Sequence, residues 1–195
     1  TGGPGPEVST TRRRRPSVDA AAFIAPQFGP RFSRPHIGHP MQLSLFSVSY
    51  AGYWGQDRLA LDAFIARAAQ LKYDAVMIAG KRPHLSPLDA DAALLEQTMR
   101  SLAEHDVRCA AVAGYTDLTP LAAAEVPYLE MQIAYVEQLA RIASALGASL
   151  VRVFTAYASP RCAPHGAWQT AASPLRAMCD RAGEHGVTLA VQNHH

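Results

Sequence analysis

The feature that most constrains the fold of this chain is the alternation, after Met41, of short apolar runs with longer amphipathic segments. Five runs are rich in Val, Ile, Leu and Ala and are bounded by Gly, Asp or a turn, which is typical of buried strands: residues 43–50, 74–80, 108–114, 149–154 and 187–192. Four segments between them carry apolar residues at spacings near three and four, which predicts helices: residues 57–71, 87–106, 127–147 and 173–186. Gly147 and Gly186 stand where a helix would end before the next strand. The order βαβαβαβαβ predicts a parallel sheet with right-handed crossovers.

Two architectures fit this order: an open doubly wound sheet and a (β/α)8 barrel. After the first run the chain reads SVSYAGYWGQDRLALD, which lacks the G-x-G-x-x-G expected of a dinucleotide-binding open sheet. Polar groups follow the other four runs, in KRPHLSP, YTDLTP, TAYASPRCAPHGAW and QNHH. The working residues of a barrel lie at the carboxyl ends of its strands. We therefore predict an α/β fold of the parallel (β/α)8 TIM-barrel type, with only the first five βα steps present, in residues 41–195.

Residues 1–40 differ in kind from the rest. They are crowded with Gly, Pro, Ser and Arg and show neither helical nor strand periodicity. This composition predicts a disordered N-terminal extension, because it cannot bury enough apolar surface to offset the entropy of ordering. Met41 then reads as the natural start of the folded domain.

Composition limits the partners and the cellular compartment. The chain is 49% hydrophobic and has no apolar run near the ~20 residues of a membrane helix, so no membrane partner is expected. Its net charge of +2 comes from the arginines of residues 1–40, and the remainder lacks a basic stripe, so no nucleic-acid partner is expected. The three cysteines lack a paired C-x-x-C spacing and predict reduced thiols in a cytoplasmic protein: Cys109, Cys162 and Cys179.

Three phrases carry a resemblance to a known family: DAFIARAAQLKYDAVMIAGKRPHLSP, LARIASALGASLVRVF and LRAMCDRAGEHGVTLAVQNHH. In this order the chain resembles the N-terminal portion of the sugar phosphate isomerase/epimerase family, with its xylose-isomerase-like TIM barrel. Endonuclease-IV-like repair enzymes are distant relatives of that family. The resemblance implies aldose–ketose isomerisation or epimerisation, in which a proton is transferred next to a carbonyl and a divalent metal ion stabilises the enediolate.

The resemblance also implies a metal site at the barrel mouth, for Mn, Co, Mg or Zn. An acidic residue at the end of strand five usually holds the metal together with Asp, His and Glu from strands six to eight, and this chain contains only the first position. Gln192 stands where the family usually has Glu. A Gln carbonyl coordinates a hard cation without adding negative charge, so we expect weaker binding. The alternative is that Gln192 caps the barrel mouth through hydrogen bonds.

Candidate substrate-binding residues follow strands two and five. Lys81, Arg82 and His84 in KRPH would grip a sugar hydroxyl or phosphate, the alternative being a solvated basic loop. In QNHH, Asn193 and His194 are further candidates, and alternation along a strand places His194 on the face of Gln192. The alternative for His194 is an exposed residue at a chain end.

Arg152 is a candidate from inside strand four. It lies in the otherwise apolar LVRVF, where a buried guanidinium needs partners. Two roles are open, a salt bridge inside the barrel and a contact with substrate. Asp117 stands alone beyond strand three and is as well explained by loop capping as by catalysis, so the catalytic acid and base remain unassigned.

The function expected from these features is that of a sugar or sugar phosphate isomerase/epimerase, present as an incomplete and by itself inactive fragment. Five strands cannot close an eight-stranded barrel, and open strand edges invite association, so a homo-oligomer is one expected outcome. The alternative is a non-catalytic sugar- or partner-binding degenerate barrel. An endonuclease-IV-like phosphodiesterase is the weaker alternative, because His84 and His194 are the only well-placed imidazoles for a multi-metal cluster.

Overall fold

The computed structural model of this chain describes residues 41–119, 123, 125–155 and 164–193, with 164–167 described by their backbone alone. In that part of the chain, five strands form one parallel sheet: β1 (Ser44–Phe46), β2 (Ala75–Ala79), β3 (Arg108–Ala113), β4 (Leu150–Phe154) and β5 (Thr188–Gln192). Four α-helices alternate with them: α1 (Leu61–Gln70), α2 (Ala92–Glu104), α3 (Tyr128–Ala145) and α4 (Pro164–Gly183).

The strands pair in the order in which they occur along the chain, from β1 to β5. A doubly wound open sheet would instead reverse its strand order at a switch point. Sequential parallel pairing with a helix between consecutive strands is the wall of a (β/α)8 barrel. The predicted fold class is thereby confirmed, with five strands and the four helices between them.

The two faces of the sheet differ in side-chain size. The outer face carries Val76, Ile78, Val112, Val151 and Val153, which are fully buried in a cluster with the helices. The inner face carries Ala79 and Ala113 on β2 and β3, in the same row as Arg152 of β4. Strand pairing also places Phe154 beside Gln192, and paired residues in a parallel sheet point to the same face. The two alanines therefore leave room for the long side chain of Arg152.

Local signals in the sequence explain where the helices begin and end. Asp91 precedes α2 and its carboxylate accepts a hydrogen bond from Leu94 N at 2.8 Å, as an N-cap residue does. Gly147 and Gly186 have φ values of +71° and +70° and follow α3 and α4, the left-handed conformation that ends many helices. Both glycines act as the sequence predicts.

Several element boundaries differ from the predicted ones, and two of them involve a change of structure or a proline. The first strand ends at Phe46, and Ser47–Tyr50 form a short 3₁₀ helix, in which the buried Ser47 hydroxyl accepts a hydrogen bond from Ala79 N at 2.8 Å. The last helix begins at Pro164, nine residues before the predicted start, and contains Pro174 in its interior. Proline is favoured in the first turn of a helix, as Pro164 is here. Pro174 marks the predicted start but lies inside the observed helix, where proline removes a backbone hydrogen bond.

Some expectations concern residues outside the described part of the chain. The predicted disorder of residues 1–40 and the predicted role of His194 belong to this group, as does Cys162. Among the helices that are described, none combines the length and the apolar character needed to cross a membrane.

Candidate functional site

Three neighbouring strands bring two cations and their aromatic neighbours together at their carboxyl ends. Lys81 follows β2, Tyr115 follows β3, and Arg152 lies within β4. Lys81 Nζ is 3.7 Å from the centroid of the Tyr115 ring, and Arg152 Cζ is 5.0 Å from the same centroid. Tyr53 and Phe154 complete this group, and we call the five residues the strand-end cluster. Both cations are within cation–π distance of the Tyr115 ring.

Lys81 is the more accessible of the two cations. Its Nζ also lies 4.5 Å from the centroid of the Tyr53 ring, so two aromatic rings flank it. Partial burial lowers the pKa of Lys81 below its usual value, and the positive charge of Arg152 lowers it further. Contact with an anionic or oxygen-rich group would therefore stabilise the charged form of Lys81.

Arg152 is held almost out of solvent, with 7% of its surface exposed. Its Nη1 donates a hydrogen bond to Gly114 O at 3.0 Å, and its Cζ lies 4.0 Å from the centroid of the Phe154 ring. The guanidinium also lies 5.6 Å from the centroid of the Phe46 ring. Arg152 thus points across the inner face of the sheet, as required of a residue that lines the barrel interior.

Tyr135 fixes the relative positions of the loops that follow β2 and β3. Its hydroxyl donates to Gly80 O at 2.8 Å and accepts from Tyr115 N at 3.3 Å. Burial raises the pKa of this phenol to about 12, so it stays protonated and able to donate. Lys81 directly follows Gly80, and Tyr115 is bonded through its own backbone N–H, so the brace holds these two residues side by side.

A second brace joins the ends of β3 and β4. The buried Thr116 hydroxyl donates to Phe154 O at 2.5 Å and accepts from Phe154 N at 2.9 Å. Both polar groups of the Phe154 backbone are satisfied by one side chain. The ring of Phe154 is thereby fixed beneath the Arg152 guanidinium.

The loop after β1 contributes two aromatic residues that the sequence analysis missed. Tyr53 donates from its hydroxyl to Arg82 O, and its ring packs edge-on against Trp54 with the centroids 5.8 Å apart. Trp54 is 76% exposed. The site residues were predicted from polar groups at the strand ends, and YAGYW at residues 50–54 has no ionised group. The available signal was two neighbouring aromatic residues in a loop on the side where barrels bind ligands.

The three candidate residues in KRPH do not lie together. Arg82 forms a two-pronged ion pair with Asp89, with Nε–Oδ2 and Nη2–Oδ1 distances of 2.7 Å and 2.6 Å, and this hydrogen bonding lowers the pKa of Asp89. Its side chain remains largely exposed. His84 is 5% exposed, and its ring centroid lies 5.9 Å from that of Phe64 on α1. Of the three, only Lys81 belongs to the strand-end cluster, and the expectation that His84 shares its surface must be corrected.

The β5 end presents exposed amides. Gln192 and Asn193 are both exposed, and pairing with Phe154 places Gln192 on the inner face with Arg152. Asp117 is engaged in its loop, since its Oδ1 accepts from the Thr119 backbone N–H at 3.0 Å and from the Thr119 hydroxyl. Asp117 therefore has the capping role that the sequence left open.

The described residues do not by themselves fit a divalent metal ion. No group of three or more His, Cys, Asp or Glu side chains able to hold a metal is found in the described ranges. Gln192 offers one neutral oxygen, whereas catalytic metal sites use three or more protein ligands. Gln192 is therefore a candidate for one ligand of such a site, and the described residues do not complete it.

Comparison with known proteins identifies the fold. A family model described as xylose isomerase-like TIM barrel matches residues 65–195. No curated protein matches the chain significantly.

Solved structures share the architecture at low sequence identity. The probable 3-DHS dehydratase AsbF of Bacillus anthracis superposes with a TM-score of 0.60 at 16% identity, over 77% of this chain and 52% of that protein. D-psicose 3-epimerase from Clostridium cellulolyticum gives a TM-score of 0.61 at 16% identity over the same shares of the two chains, 77% and 52%. D-allulose 3-epimerase from Methylomonas sp. gives 0.56 at 22% identity, over 78% and 51%. This chain thus spans about half the length of the solved structures that it matches.

Proposed function

Because this chain belongs to the xylose isomerase-like TIM barrel family, we propose that it contributes the substrate-binding strand ends of a sugar or sugar phosphate isomerase/epimerase. The reaction proposed is proton transfer next to a carbonyl. Fold similarity to 3-epimerases at 16–22% identity supports the class of reaction only as an analogy. The residues of the strand-end cluster carry the argument for binding.

The observation that carries this proposal is the sharing of one ring by Lys81 and Arg152 at the carboxyl ends of the strands. Removing a proton next to a carbonyl leaves negative charge on the sugar oxygens, which fixed cations stabilise. A phosphate group would be bound by the same charges. In this proposal Lys81 contacts the substrate oxygens, and Arg152 adds positive potential from beneath.

The exposed aromatic residues complete the proposed binding surface. Tyr53 orients the Lys81 ammonium, and the 76% exposed Trp54 offers an apolar face to the carbon skeleton of a sugar. Arg82 lies at the outer edge of this surface and is held by Asp89. We propose that it contacts a phosphate only at the periphery. His84, which packs against α1, has no direct substrate contact in this proposal.

Gln192, Asn193 and His194 are proposed to extend the site along β5. Gln192 lies on the inner face with Arg152, where its amide would bind a sugar hydroxyl or serve as one ligand of a divalent metal ion. A metal ion at this mouth would stabilise negative charge on the substrate oxygens. Further ligands would have to come from beyond the described residues, so no step is assigned to the metal here.

A non-catalytic sugar-binding protein is the second candidate function. An aromatic platform beside a cation is enough to bind a sugar, and the pairing of Trp54 with Tyr53 beside Lys81 favours it. Turnover of a bound sugar would exclude this second function.

The test uses the two tryptophans of the chain, Trp54 and Trp168. In a Trp168→Phe background, Trp54 fluorescence is titrated with D-fructose and with D-fructose 6-phosphate. A saturable fluorescence change supports the binding surface. Binding to the Trp54→Phe variant, which has lost the fluorescent reporter, is followed by calorimetry and should be lost. Conversion of either sugar to an aldose isomer or a 3-epimer, assayed by chromatography with added Mn²⁺, supports the isomerase and excludes the non-catalytic protein. Saturable binding without conversion is the result expected both of an inactive part of an isomerase and of a binding protein, and no saturable binding of either sugar would contradict both.

A further inference from the structure

Lys81 is a positive charge without an anionic partner among the described residues. Its Nζ lies 3.7 Å from the centroid of the Tyr115 ring and 4.5 Å from that of the Tyr53 ring. None of the ion pairs formed within the described ranges includes this ammonium. Aromatic faces attract a cation but leave its charge uncompensated, and an ammonium can only donate hydrogen bonds. The group that would satisfy Lys81 is therefore a negatively charged hydrogen-bond acceptor.

Arg152 strengthens the attraction of such an acceptor to Lys81. Its guanidinium belongs to a side chain that is only 7% exposed, and its Nη1 donates a hydrogen bond to Gly114 O at 3.0 Å. The charge of Arg152 nevertheless reaches Lys81, because it contributes to the lowered pKa of that ammonium. An anion on Lys81 is thus attracted by two positive charges and contacts mainly one of them.

The groups around Lys81 favour a carboxylate over a phosphate. Proteins commonly hold a phosphate with the forked guanidinium of an arginine. The arginine next to Lys81 is Arg82, and the Asp89 carboxylate already occupies its fork, with N–O distances of 2.7 Å and 2.6 Å. Asp89 would also repel a phosphate dianion more strongly than a carboxylate monoanion. The lysine ammonium is a point charge of +1, which one carboxylate neutralises.

A neutral sugar would satisfy Lys81 less well than either anion. Its hydroxyl oxygens accept hydrogen bonds from an ammonium, but each hydroxyl also carries a proton that needs an acceptor. The ammonium of Lys81 and the guanidinium of Arg152 offer donors only. Hydroxyl groups also leave the repulsion between these two cations uncompensated.

On the basis of the proposed function, whose site it shares, we propose that the substrate is a sugar acid and that its carboxylate binds Lys81 Nζ between the rings of Tyr53 and Tyr115. Lys81 is then the residue that determines substrate specificity. Arg152 acts on the same carboxylate through its charge.

The experiment compares three ligands that share one sugar ring and differ at C6: D-glucose, D-glucuronate and D-glucose 6-phosphate. Calorimetry measures their binding to the full 195-residue chain. We expect D-glucuronate to bind at least about tenfold more tightly than D-glucose, and more tightly than D-glucose 6-phosphate. Equal affinities for D-glucuronate and D-glucose, or a preference for the phosphate, would overturn the sugar acid and leave the proposed function intact. No binding of any of the three would also overturn it, and the fructose titrations would then decide the proposed function separately.

Three variants test whether the charge of Lys81 carries the preference. In Lys81→Gln the preference for D-glucuronate over D-glucose should fall to within about threefold, whereas Lys81→Arg should retain most of it. Lys72→Gln is the control, because Lys72 is an exposed lysine in the turn between α1 and β2. A purely structural effect would weaken both ligands alike and leave their ratio unchanged. A ratio that survives in Lys81→Gln, that is lost equally in Lys81→Arg, or that falls equally in Lys72→Gln would contradict the role of Lys81.

Discussion

Lys81 and Arg152 lie against the same aromatic ring, with Lys81 Nζ 3.7 Å and Arg152 Cζ 5.0 Å from the centroid of Tyr115. Two like charges this close repel each other, and the pKa of Lys81 is lowered partly for that reason. Their repulsion is relieved when an anion or a ring of sugar oxygens binds between or beside them. This pair is therefore the most direct place to test for ligand binding.

The first prediction concerns the charge of Lys81. The chain has two lysines, Lys72 and Lys81, and Lys72 lies exposed in the turn between α1 and β2, near the opposite ends of the strands. Lys81→Met should weaken binding of D-fructose 6-phosphate at least about tenfold, since a hydrogen bond to a charged group contributes ~1.5 kcal/mol or more. Lys72→Met should leave it unchanged. Isothermal titration calorimetry measures both, and equal affinities in the two variants would remove Lys81 from the site.

The second prediction concerns the Tyr135 brace. Tyr135→Phe removes the hydroxyl that donates to Gly80 O and accepts from Tyr115 N. Two backbone groups then lose their partner, and we expect the free energy of unfolding to fall by about 1–3 kcal/mol. Urea denaturation followed by circular dichroism provides the measurement. Tyr73→Phe is the control, because no hydrogen bond from Tyr73 enters the brace. An unchanged midpoint in Tyr135→Phe would show that the brace contributes nothing to stability.

The third prediction concerns the close approach of α3 to the strand ends. A Cβ at Gly80 would lie 2.5 Å from Leu139 Cδ2 and 3.1 Å from Ala113 O, so Gly80→Ala should cost about 1–3 kcal/mol through overpacking. A Cβ at Gly183, in the last turn of α4, meets nothing within 4 Å. Gly183→Ala should therefore be neutral or stabilising by up to about 1 kcal/mol. Thermal unfolding of the two variants compares them, and a Gly80→Ala chain as stable as the parent would contradict the packing described here.

The fourth prediction concerns pH. Burial lowers the pKa of His84 below its usual 6.5, so the folded chain binds this proton less tightly than the unfolded chain does. The stability associated with neutral His84 is fully present above about pH 6.5 and is lost as the pH falls from 6.5 toward the lowered pKa. His84→Phe cannot titrate, so its stability should fall less steeply across that window. Chemical denaturation at several pH values between about 7 and 5 gives the two slopes, and parallel slopes would rule out His84 as the source.

The fifth prediction concerns the end of β5. Gln192→Glu places a carboxylate on the inner face, and we expect it to strengthen Mn²⁺ binding several-fold over the weak binding of the parent chain. Thr188→Glu is the control, because Thr188 lies at the amino end of the same strand. Electron paramagnetic resonance of free Mn²⁺ reports the bound fraction. Equal gains from the two carboxylates would indicate nonspecific attraction instead of a site.

The barrel wall could be predicted from the sequence because its strands and helices leave different patterns. The strands are short continuous apolar runs, the helices carry apolar residues at spacings near three and four, and Gly147 and Gly186 mark two helix ends by their left-handed backbone. The start of α4 could not be placed in this way. Ser173 and Pro174 match a helix start as well as Pro164 does, and only packing decides between them.

The site was harder to predict because side-chain direction in a loop depends on its turns. His84 N donates to Lys81 O at 3.1 Å, so the chain reverses within KRPH, and Lys81 and His84 point to different surfaces. Their nearness in sequence therefore misled the assignment of His84. Tyr115 was not predicted for a different reason. Its ring contacts Lys81, which follows β2, and Arg152, which lies in β4, and both are distant from it in sequence.

The contact between Arg152 and Phe46 has a consequence for the shape of the wall. Arg152 belongs to β4 and Phe46 to β1, with β2 and β3 between them, which in a flat sheet would set their backbones roughly 14 Å apart. The Arg152 guanidinium nevertheless lies 5.6 Å from the centroid of the Phe46 ring, so its side chain reaches across the concave face of the sheet from β4 toward β1. Shortening Arg152 would remove this contact and leave β1, an edge strand, attached through its pairing with β2.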